Sequence, residues 1–208
     1  MRILAIGAHF DDIEIGCGGS LLRWKEEGHE ILFYVATKSG YQNEEGVAIR
    51  TETEAGNEGK KAADFCGADL ICGDHKTFQI QMGEALNQEI LKIISKFGPD
   101  LILTHWENDS HLDHFNLAKS TIHCSRHVRK VLTYRSNWYA SSGTFSPLYH
   151  VDISAYLEKK LELVHLFDSE MQRVKGIWAE RIRSTASYWG ASAGCKYAEA
   201  FGIIRWTE

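Results

Sequence analysis

The sequence predicts an α/β fold, a single domain built on a mostly parallel sheet with helices on both faces. The first observation is that short apolar runs alternate along the chain with longer segments of helical character. The second is the absence of any Pro- or Ser-rich linker or internal repeat that would divide the chain. The third is the length of 208 residues, enough for one domain with a substantial core. We therefore expect one domain that spans residues 1–208.

Six strands are predicted in chain order, each a short apolar run bounded by polar residues or glycine. The first run ends at Gly7, and the segment that begins near Leu21 ends at Gly28, a common helix stop. A later helix has apolar residues at helical spacing and ends before Gly98 and Pro99. The strands are predicted at 2–7, 29–36, 68–72, 100–104, 131–134 and 149–153, and the later helices at 48–65, 84–97, 115–127 and 157–171.

Composition and charge exclude several classes of protein. The formal net charge of −5 argues against a general nucleic-acid binder, which needs a basic face. No stretch approaches the roughly 20 apolar residues of a membrane span, and the first residues lack a signal-peptide pattern. Five cysteines without a C-x-x-C pair suit a reducing compartment better than a disulfide framework. A cytoplasmic protein is therefore expected.

A first cluster of polar residues, at 8–12, follows the first predicted strand and contains His9, Asp11 and Asp12. It occupies a strand-to-helix turn, and turns at the carboxyl ends of sheet strands are where open α/β sheets bind ligands. Each residue also has a structural interpretation: the aspartates as a helix cap, and the histidine as a core residue. One cluster alone does not decide between these interpretations.

A second cluster, at residues 104–114, favours a catalytic interpretation of the first. If the strand order is 3-2-1-4-5, strands one and four are neighbours, and the loops after them face one crevice. His111 or His114 would join His9 and Asp12 to give three ligands of N and O type. Two histidines and one carboxylate with an open position are typical of a catalytic zinc site. His105, at the start of this cluster, is predicted to be a surface or packing residue.

The remaining polar residues of both clusters supply acid–base groups. Asp11 lies beside the ligand Asp12 and is predicted to be the general base for a water whose pKa zinc lowers to about 7. The histidine of the second cluster that does not bind metal would stabilise an oxyanion or protonate the leaving group. Asp113 is predicted to orient that histidine, as carboxylates near metal sites often do.

These motifs resemble those of the LmbE-like, or PIG-L-like, zinc-dependent N-deacetylases. The signature of that family is an A-H-P-D-D turn, a glycine-rich helix start and a later H-x-D-H cluster. Its proline is replaced by Phe10, which we expect to line the substrate entrance. The segment 167–170 departs from the family pattern of a histidine and a glutamine around a serine, and Arg50 is the nearest match to an arginine of the family. The matching segments are 8–12, 16–19, 104–106, 111–114, 151–154 and 197–201.

The resemblance implies a Rossmann-like fold and removal of an N-acetyl group from an N-acetylglucosamine-type sugar or its conjugate. It implies that His9, Asp12 and His114 bind the metal. It also implies that Asp11 is the general base and that His111 is a charged histidine that stabilises the tetrahedral intermediate. Zn²⁺ is the expected cofactor, although iron, cobalt or manganese also bind such sites. The expected partner is a small acetylated amino sugar, and a homo-oligomer is left open.

Two other functions are compatible with the same fold class. One is a catalytically idle protein that binds a sugar or a metal, although every acid–base position is present in this chain. The other is a nucleotide-binding module that uses the glycines at 16–19 as a phosphate loop, but these glycines lack the G-x-G-x-x-G spacing and come late after the strand. The deacetylase is therefore the preferred hypothesis.

Overall fold

The computed structural model describes all 208 residues, which form one seven-stranded sheet, a small two-stranded hairpin and seven helices. The large sheet has the order β5-β2-β1-β6-β7-β9-β8, and its first five strands are parallel. The strands are β1 (Arg2–Gly7), β2 (Glu30–Thr37), β3 (Tyr41–Gln42), β4 (Ala48–Arg50), β5 (Asp69–His75), β6 (Leu101–His105), β7 (Lys130–Tyr134), β8 (Tyr149–Asp152) and β9 (Ala198–Trp206). The helices are α1 (Asp12–Glu26), α2 (Glu52–Cys66), α3 (Glu84–Phe97), α4 (Leu112–Cys124), α5 (Leu157–His165), α6 (Asp168–Arg173) and α7 (Ile177–Ala193).

The strand order confirms the predicted fold class, because the five parallel strands follow the order 3-2-1-4-5 of the predicted strands. Strands β1 and β6 pair directly, with Leu4 opposite Ile102. Alternate residues of β1 point to opposite faces, so that Ile3 and Leu4 belong to two different core clusters. Helices cover both faces of the sheet, and the loops after β1 and β6 meet at one edge.

Two predictions about the later elements are wrong. The helix predicted from residue 48 begins only at Glu52, where Thr51 and Glu54 form a capping box. The helix predicted over 157–171 is broken at the buried Phe167 into α5 and α6. The apolar spacing continues across the break, so the sequence pattern does not reveal it. The chain after residue 171, for which the sequence predicts no element, contains the end of α6, helix α7 and strand β9, and β9 lies antiparallel between β7 and β8.

A break inside α1 is stabilised by residues from distant parts of the chain. Cys17 has non-helical backbone angles, which leave neighbouring peptide groups without helical partners. Lys160 Nζ donates to the carbonyl of Ile15 at 2.7 Å, and the Glu199 carboxylate accepts from the backbone N–H of Ser20 at 2.7 Å. Lys160 and Glu199 also form a buried ion pair, so the charges satisfy each other as well as the backbone.

The glycines at the start of α1 allow close packing of protein against protein. A Cβ on Gly16 would lie 2.1 Å from the ring of Tyr134, and one on Gly19 would lie 3.0 Å from Ile153. The space that a phosphate loop would keep open is therefore filled by side chains. No helix of the structure is both long and apolar enough to cross a membrane.

Candidate active site

The first cluster forms a tight turn between β1 and α1. Asp11 is the residue before the helix, and its φ of 122° lies in a region that L-residues rarely adopt. The Asp12 carboxylate accepts from the backbone N–H of His9 at 2.8 Å, which closes the turn on itself. The result is that Asp11 and Asp12, although consecutive, place their carboxylates in different surroundings.

Residues from other segments hold this turn in its strained shape. The backbone N–H of Phe10 donates to Ser39 Oγ at 2.8 Å, and its carbonyl accepts from Arg50 Nη1 at 3.0 Å. The Phe10 ring is 3% exposed and packs on α2 at Gly59, where a Cβ would lie 2.0 Å from the ring. Phe10 therefore anchors the turn and does not line the substrate entrance, contrary to the sequence-based expectation.

The second cluster is stabilised by hydrogen bonds within itself and by hydrogen bonds from other segments. The Asp109 carboxylate accepts from the backbone N–H of His111 at 2.8 Å and lies 3.2 Å from His114 Nδ1. Asn137, just after β7, donates to both oxygens of the same carboxylate, at 2.9 and 2.8 Å. His114 is thereby fixed in the first turn of α4.

The two clusters meet at Asp12. Its Oδ2 is 3.3 Å from His9 Nδ1, and its Oδ1 is 3.2 Å from His114 Nε2. On the far side of each ring lies another carboxylate: Asp113 Oδ2 is 2.9 Å from His9 Nε2, and Asp109 lies beside His114 Nδ1. Outer carboxylates of this kind fix the tautomer of metal-binding histidines. One free nitrogen of each ring therefore faces the Asp12 carboxylate, which is a donor set that suits a divalent metal.

The electrostatics of the site also favour a cation. Burial would lower the pKa of His9, but hydrogen bonds to Asp113 and Asp12 raise it to about 9. Burial would likewise lower the pKa of His114, but Asp12 and Asp109 raise it to about 10. Burial would raise the pKa of Asp12, but the adjacent histidines hold it well below its usual value. These carboxylates stabilise the protonated form of the neighbouring histidines. A bound metal ion would supply the same positive charge in place of the protons.

His105 is a second neighbour of Asp12 that the sequence prediction treated as a surface or packing residue. It is fully buried, and its ring stacks on His114 with centroids 3.9 Å apart. Its Nε2 lies 3.3 Å from Asp12 Oδ2 but accepts from the backbone N–H of Ala8 at 3.0 Å. Burial and the charge of His114 lower its pKa to about 4. Ligand atoms of Asp12, His105 and His114 lie within 4.8 Å of one another, as do those of His9, His111 and His114.

His111 faces the same space from the first turn of α4. Its Nδ1 accepts from the backbone N–H of Asp113 at 3.2 Å, so a neutral ring carries its hydrogen on Nε2. Burial and the nearby His114 and His9 lower its pKa to about 4. The Asp113 carboxylate contacts His9 rather than His111, so Asp113 positions His9 through its side chain and His111 through its backbone.

Asp11 belongs to a separate group of buried charges. Burial and the charge of Asp12 raise the pKa of Asp11. The guanidinium of Arg50 lowers it, but by less than the other two effects together. Arg50 Nη1 lies 3.5 Å from Asp11 Oδ2, and Nη2 bonds Glu58 at 2.8 Å. Glu170 Oε1 lies 3.9 Å from the same guanidinium and accepts from the Tyr41 hydroxyl. Arg50 thus places a positive charge beside the predicted base.

One cavity of about 570 Å³ is lined by residues of both clusters and by Arg50 and Glu170. Its volume is within the range of small-molecule sites. Several residues that line this cavity are not predicted from the sequence, because they lie far from both clusters along the chain. They are Phe78 after β5 and Arg173, Trp178 and Arg181 in α6 and α7. The segment after β7 forms another wall, through residues 136–139. The predicted site residues that line the cavity are His9, Asp11, Asp12, His111 and His114.

Comparison with known proteins places the chain among deacetylases. The family model described as PIG-L, GlcNAc-PI de-N-acetylase, matches residues 4–125. Diacetylchitobiose deacetylase of Thermococcus kodakarensis is 25% identical over 221 residues, which cover 98% of this chain and 83% of that protein. The N,N'-diacetylchitobiose deacetylase of Pyrococcus horikoshii, solved with an inhibitor, superposes with a TM-score of 0.84 at 20% identity, covering 98% of this chain and 83% of that one. The zinc-inhibited form of teicoplanin deacetylase Orf2 superposes with a TM-score of 0.77 at 16% identity, covering 98% and 97% of the two chains.

Proposed function

We propose, since the chain belongs to the PIG-L (LmbE-like) family of de-N-acetylases, that it hydrolyses the N-acetyl amide of an N-acetylglucosamine-type sugar or of a conjugate of such a sugar. The observation that carries the proposal is the convergence of a carboxylate, a histidine donor and a metal-type donor set on one cavity. The named deacetylase relatives support the substrate class.

His9, Asp12 and His114 are the residues that would hold the metal. His9 Nδ1 and His114 Nε2 both lie close to the Asp12 carboxylate, and the outer nitrogens of both rings are held by Asp113 and Asp109. His105 fits this role less well, because its Nε2 already accepts a backbone hydrogen bond. A bound Zn²⁺ would supply a Lewis acid and lower the pKa of a water molecule to about 7.

Asp11 and His111 would carry the proton transfers. Asp11 takes a proton from the attacking water as the new C–O bond forms at the acetyl carbon. His111, with its hydrogen on Nε2, donates a hydrogen bond to the carbonyl oxygen as negative charge develops there. The C–N bond then breaks, the amine nitrogen takes the proton, and acetate and a free amino sugar are released. A positioned general base contributes about 10²- to 10⁴-fold to such a rate.

The test is acetate release by zinc-loaded protein from a panel of N-acetylglucosamine conjugates, with Asp11→Asn alongside. Asparagine has nearly the same size and shape as aspartate, so this variant removes the carboxylate base with the smallest change in volume at the turn. We expect release by the wild type and a loss of about 10²- to 10⁴-fold in the variant, with metal content unchanged. Asp64→Asn, an exposed carboxylate on α2, is the control.

Two outcomes would contradict the proposal. Equal turnover by Asp11→Asn would show that Asp11 is not the base. Binding of the same sugars by metal-loaded protein without any acetate release would favour the catalytically idle binding protein.

A further inference from the structure

The turn after β5 contains a phenylalanine in a backbone conformation that this residue rarely adopts. The φ of Phe78 is 64°, in the left-handed region. The backbone N–H of Gln79 donates to the carbonyl of Lys76 at 3.1 Å, so Phe78 is the third residue of a four-residue turn. A positive φ at this position is typical of a type II turn, which usually has glycine or asparagine there. Phe78 therefore introduces backbone strain that a glycine would avoid.

Core packing does not explain the phenylalanine at this position. The Phe78 side chain is 60% exposed, whereas Ile80, two positions later, is buried in the core. The turn is bonded through its backbone, because the N–H groups of Phe78 and Ile80 donate to the two carboxylate oxygens of Asp113, at 2.7 and 3.0 Å. A glycine at position 78 would make the same hydrogen bond. The aromatic ring is thus the part of Phe78 that neither the turn nor the core requires.

The ring of Phe78 lies in the wall of the 570 Å³ cavity, beside the groups proposed for catalysis. Its centroid is 5.7 Å from that of His111 and 6.3 Å from that of His9, and the Tyr41 ring meets it edge to face at 5.8 Å. The Asp113 carboxylate that bonds the turn also lies 2.9 Å from His9 Nε2. One carboxylate therefore fixes both the turn and a proposed metal ligand, which sets the position of the ring relative to the reacting groups.

We propose that the hexose ring of the substrate stacks on Phe78. The inference rests on the proposed function and adds a substrate-binding residue to it. The negative face of an aromatic ring attracts C–H groups, and the C–H face of a pyranose is apolar and of similar area. In the proposed mechanism His111 binds the carbonyl oxygen, and only three bonds separate that oxygen from the sugar carbon that bears the amide nitrogen. A sugar whose carbonyl oxygen contacts His111 therefore also reaches Phe78.

The acetyl methyl group is the other apolar part of such a substrate. A methyl group would cover only a small part of a ring that is 60% exposed, whereas a pyranose would cover most of one face. The two arrangements also respond differently to the acyl chain. If the acyl group packed on Phe78, a change of this residue would alter the preference for acyl-chain length. If the sugar stacks on Phe78, that preference stays the same.

The experiment changes the aromatic ring and the acyl group separately. Phe78→Leu keeps an apolar side chain but removes the aromatic face, and Phe78→Tyr keeps that face. Phe65→Leu is the matched control, because Phe65 is an exposed phenylalanine on α2 that does not line the cavity. Release of free amine from methyl N-acetyl-β-glucosaminide and from its N-propionyl analogue is measured for zinc-loaded proteins, with zinc content and thermal unfolding as checks. If Phe78→Leu does not fold, Phe78→Gly, which suits the positive φ, replaces it.

We expect Phe78→Leu to raise KM for the N-acetyl substrate by about five- to tenfold with kcat nearly unchanged. The reason is that a stacking contact is the same in the bound substrate and in the transition state. Phe78→Tyr and Phe65→Leu should stay within about twofold of the wild type. The ratio of kcat/KM between the N-acetyl and N-propionyl substrates should be the same in Phe78→Leu as in the wild type.

Three results would overturn the stacking. They are an unchanged KM in Phe78→Leu, an equal loss in Phe78→Tyr, and a changed ratio between the two acyl substrates. N-propionyl activity that appears only in Phe78→Leu counts as a changed ratio, and it would show that the ring contacts the acyl group instead.

Absence of amine release from both substrates in the wild type would count against the proposed function itself. Calorimetric titration with methyl N-acetyl-β-glucosaminide then tests the stacking separately. Binding that weakens in Phe78→Leu but not in Phe78→Tyr would support the stacking. Equal binding by the wild type and all variants, or no binding, would overturn it.

Discussion

The two clusters that form the site are held in place in different ways. In the first cluster, the backbone of Asp11 has a φ of 122°, and side chains of Ser39 and Arg50 from other segments bond the turn. In the second cluster, the Asp109 carboxylate bonds His111 and His114, which follow it by two and five positions. The second cluster combines such local contacts with bonds from Asn137, whereas the turn of the first cluster is held from outside by Ser39 and Arg50. Substitutions far from the first cluster should therefore damage it more than comparable local changes do.

The largest expected effect comes from removing the charge that contacts the first cluster. Arg50→Met leaves the buried carboxylates of Asp11, Glu58 and Glu170 without their shared cation. Loss of one partner of a buried ion pair costs about 3–5 kcal/mol of stability. Urea unfolding at pH 7 measures the loss, and Arg50→Lys, which keeps the charge, should lose less. Equal stability of the wild type and Arg50→Met would show that the first cluster does not depend on this arginine.

The next effect concerns the carboxylates behind the metal ligands. We expect Asp113→Asn to weaken zinc affinity by about 10- to 100-fold, because the outer carboxylate no longer fixes His9 as a donor. Competition with a chelator measures this change, and Asp109→Asn should behave similarly through His114. An unchanged affinity in both variants would contradict the assignment of His9 and His114 as ligands.

A smaller effect tests the packing of Phe10. Gly59→Ala places a methyl group 2.0 Å from the Phe10 ring, and such overpacking costs about 1–3 kcal/mol. Gly56→Ala is the matched control on the same helix, where no atom lies within 4 Å of the added carbon. That variant should gain about 0.5–1 kcal/mol from better helix propensity. Opposite signs in thermal unfolding would confirm that Gly59 serves the first cluster, and equal signs would contradict it.

The smallest effect is expected from a purely local contact. Thr51→Ala removes the capping box with Glu54 at the start of α2, next to Arg50 in sequence. Loss of such a cap costs about 1 kcal/mol. If Thr51→Ala destabilised the protein as much as Arg50→Met does, the contrast between local and non-local support would fail. The measurement is the same urea titration.

The parts of the fold that could be predicted are those with a local pattern of apolar residues in the sequence. The apolar runs that form β1, β2, β6 and β7 are short and buried, whereas β5 is a mostly exposed edge strand. The order of the five strands follows from ordinary crossover rules. The antiparallel strand β9 was not predicted, because its place between β7 and β8 depends on contacts with strands that precede it by many residues. Phe167 was assigned to a continuous helix, because its apolar character fits the helical spacing on both sides of the break.

The same distinction applies to the site. His111 and His114 could be recognised because the polar residues of the second cluster are adjacent in sequence. Arg50 could be named only as the nearest match to an arginine of the family, since its contact with Asp11 spans two elements. The capping box of Thr51 was a local signal that would have located the start of α2 correctly.

The contact of Glu199 with α1 has a consequence for the order of folding. The hydrogen bond to the backbone of Ser20 joins residues 179 positions apart, so it closes nearly the whole chain into one loop. Closures of this span come late, because the entropy of the intervening chain must be lost first. A folding intermediate with only the parallel strands would contain the histidines but lack a completed α1. We therefore expect catalytic competence to appear in one step, when the final strand docks, rather than gradually as the sheet grows.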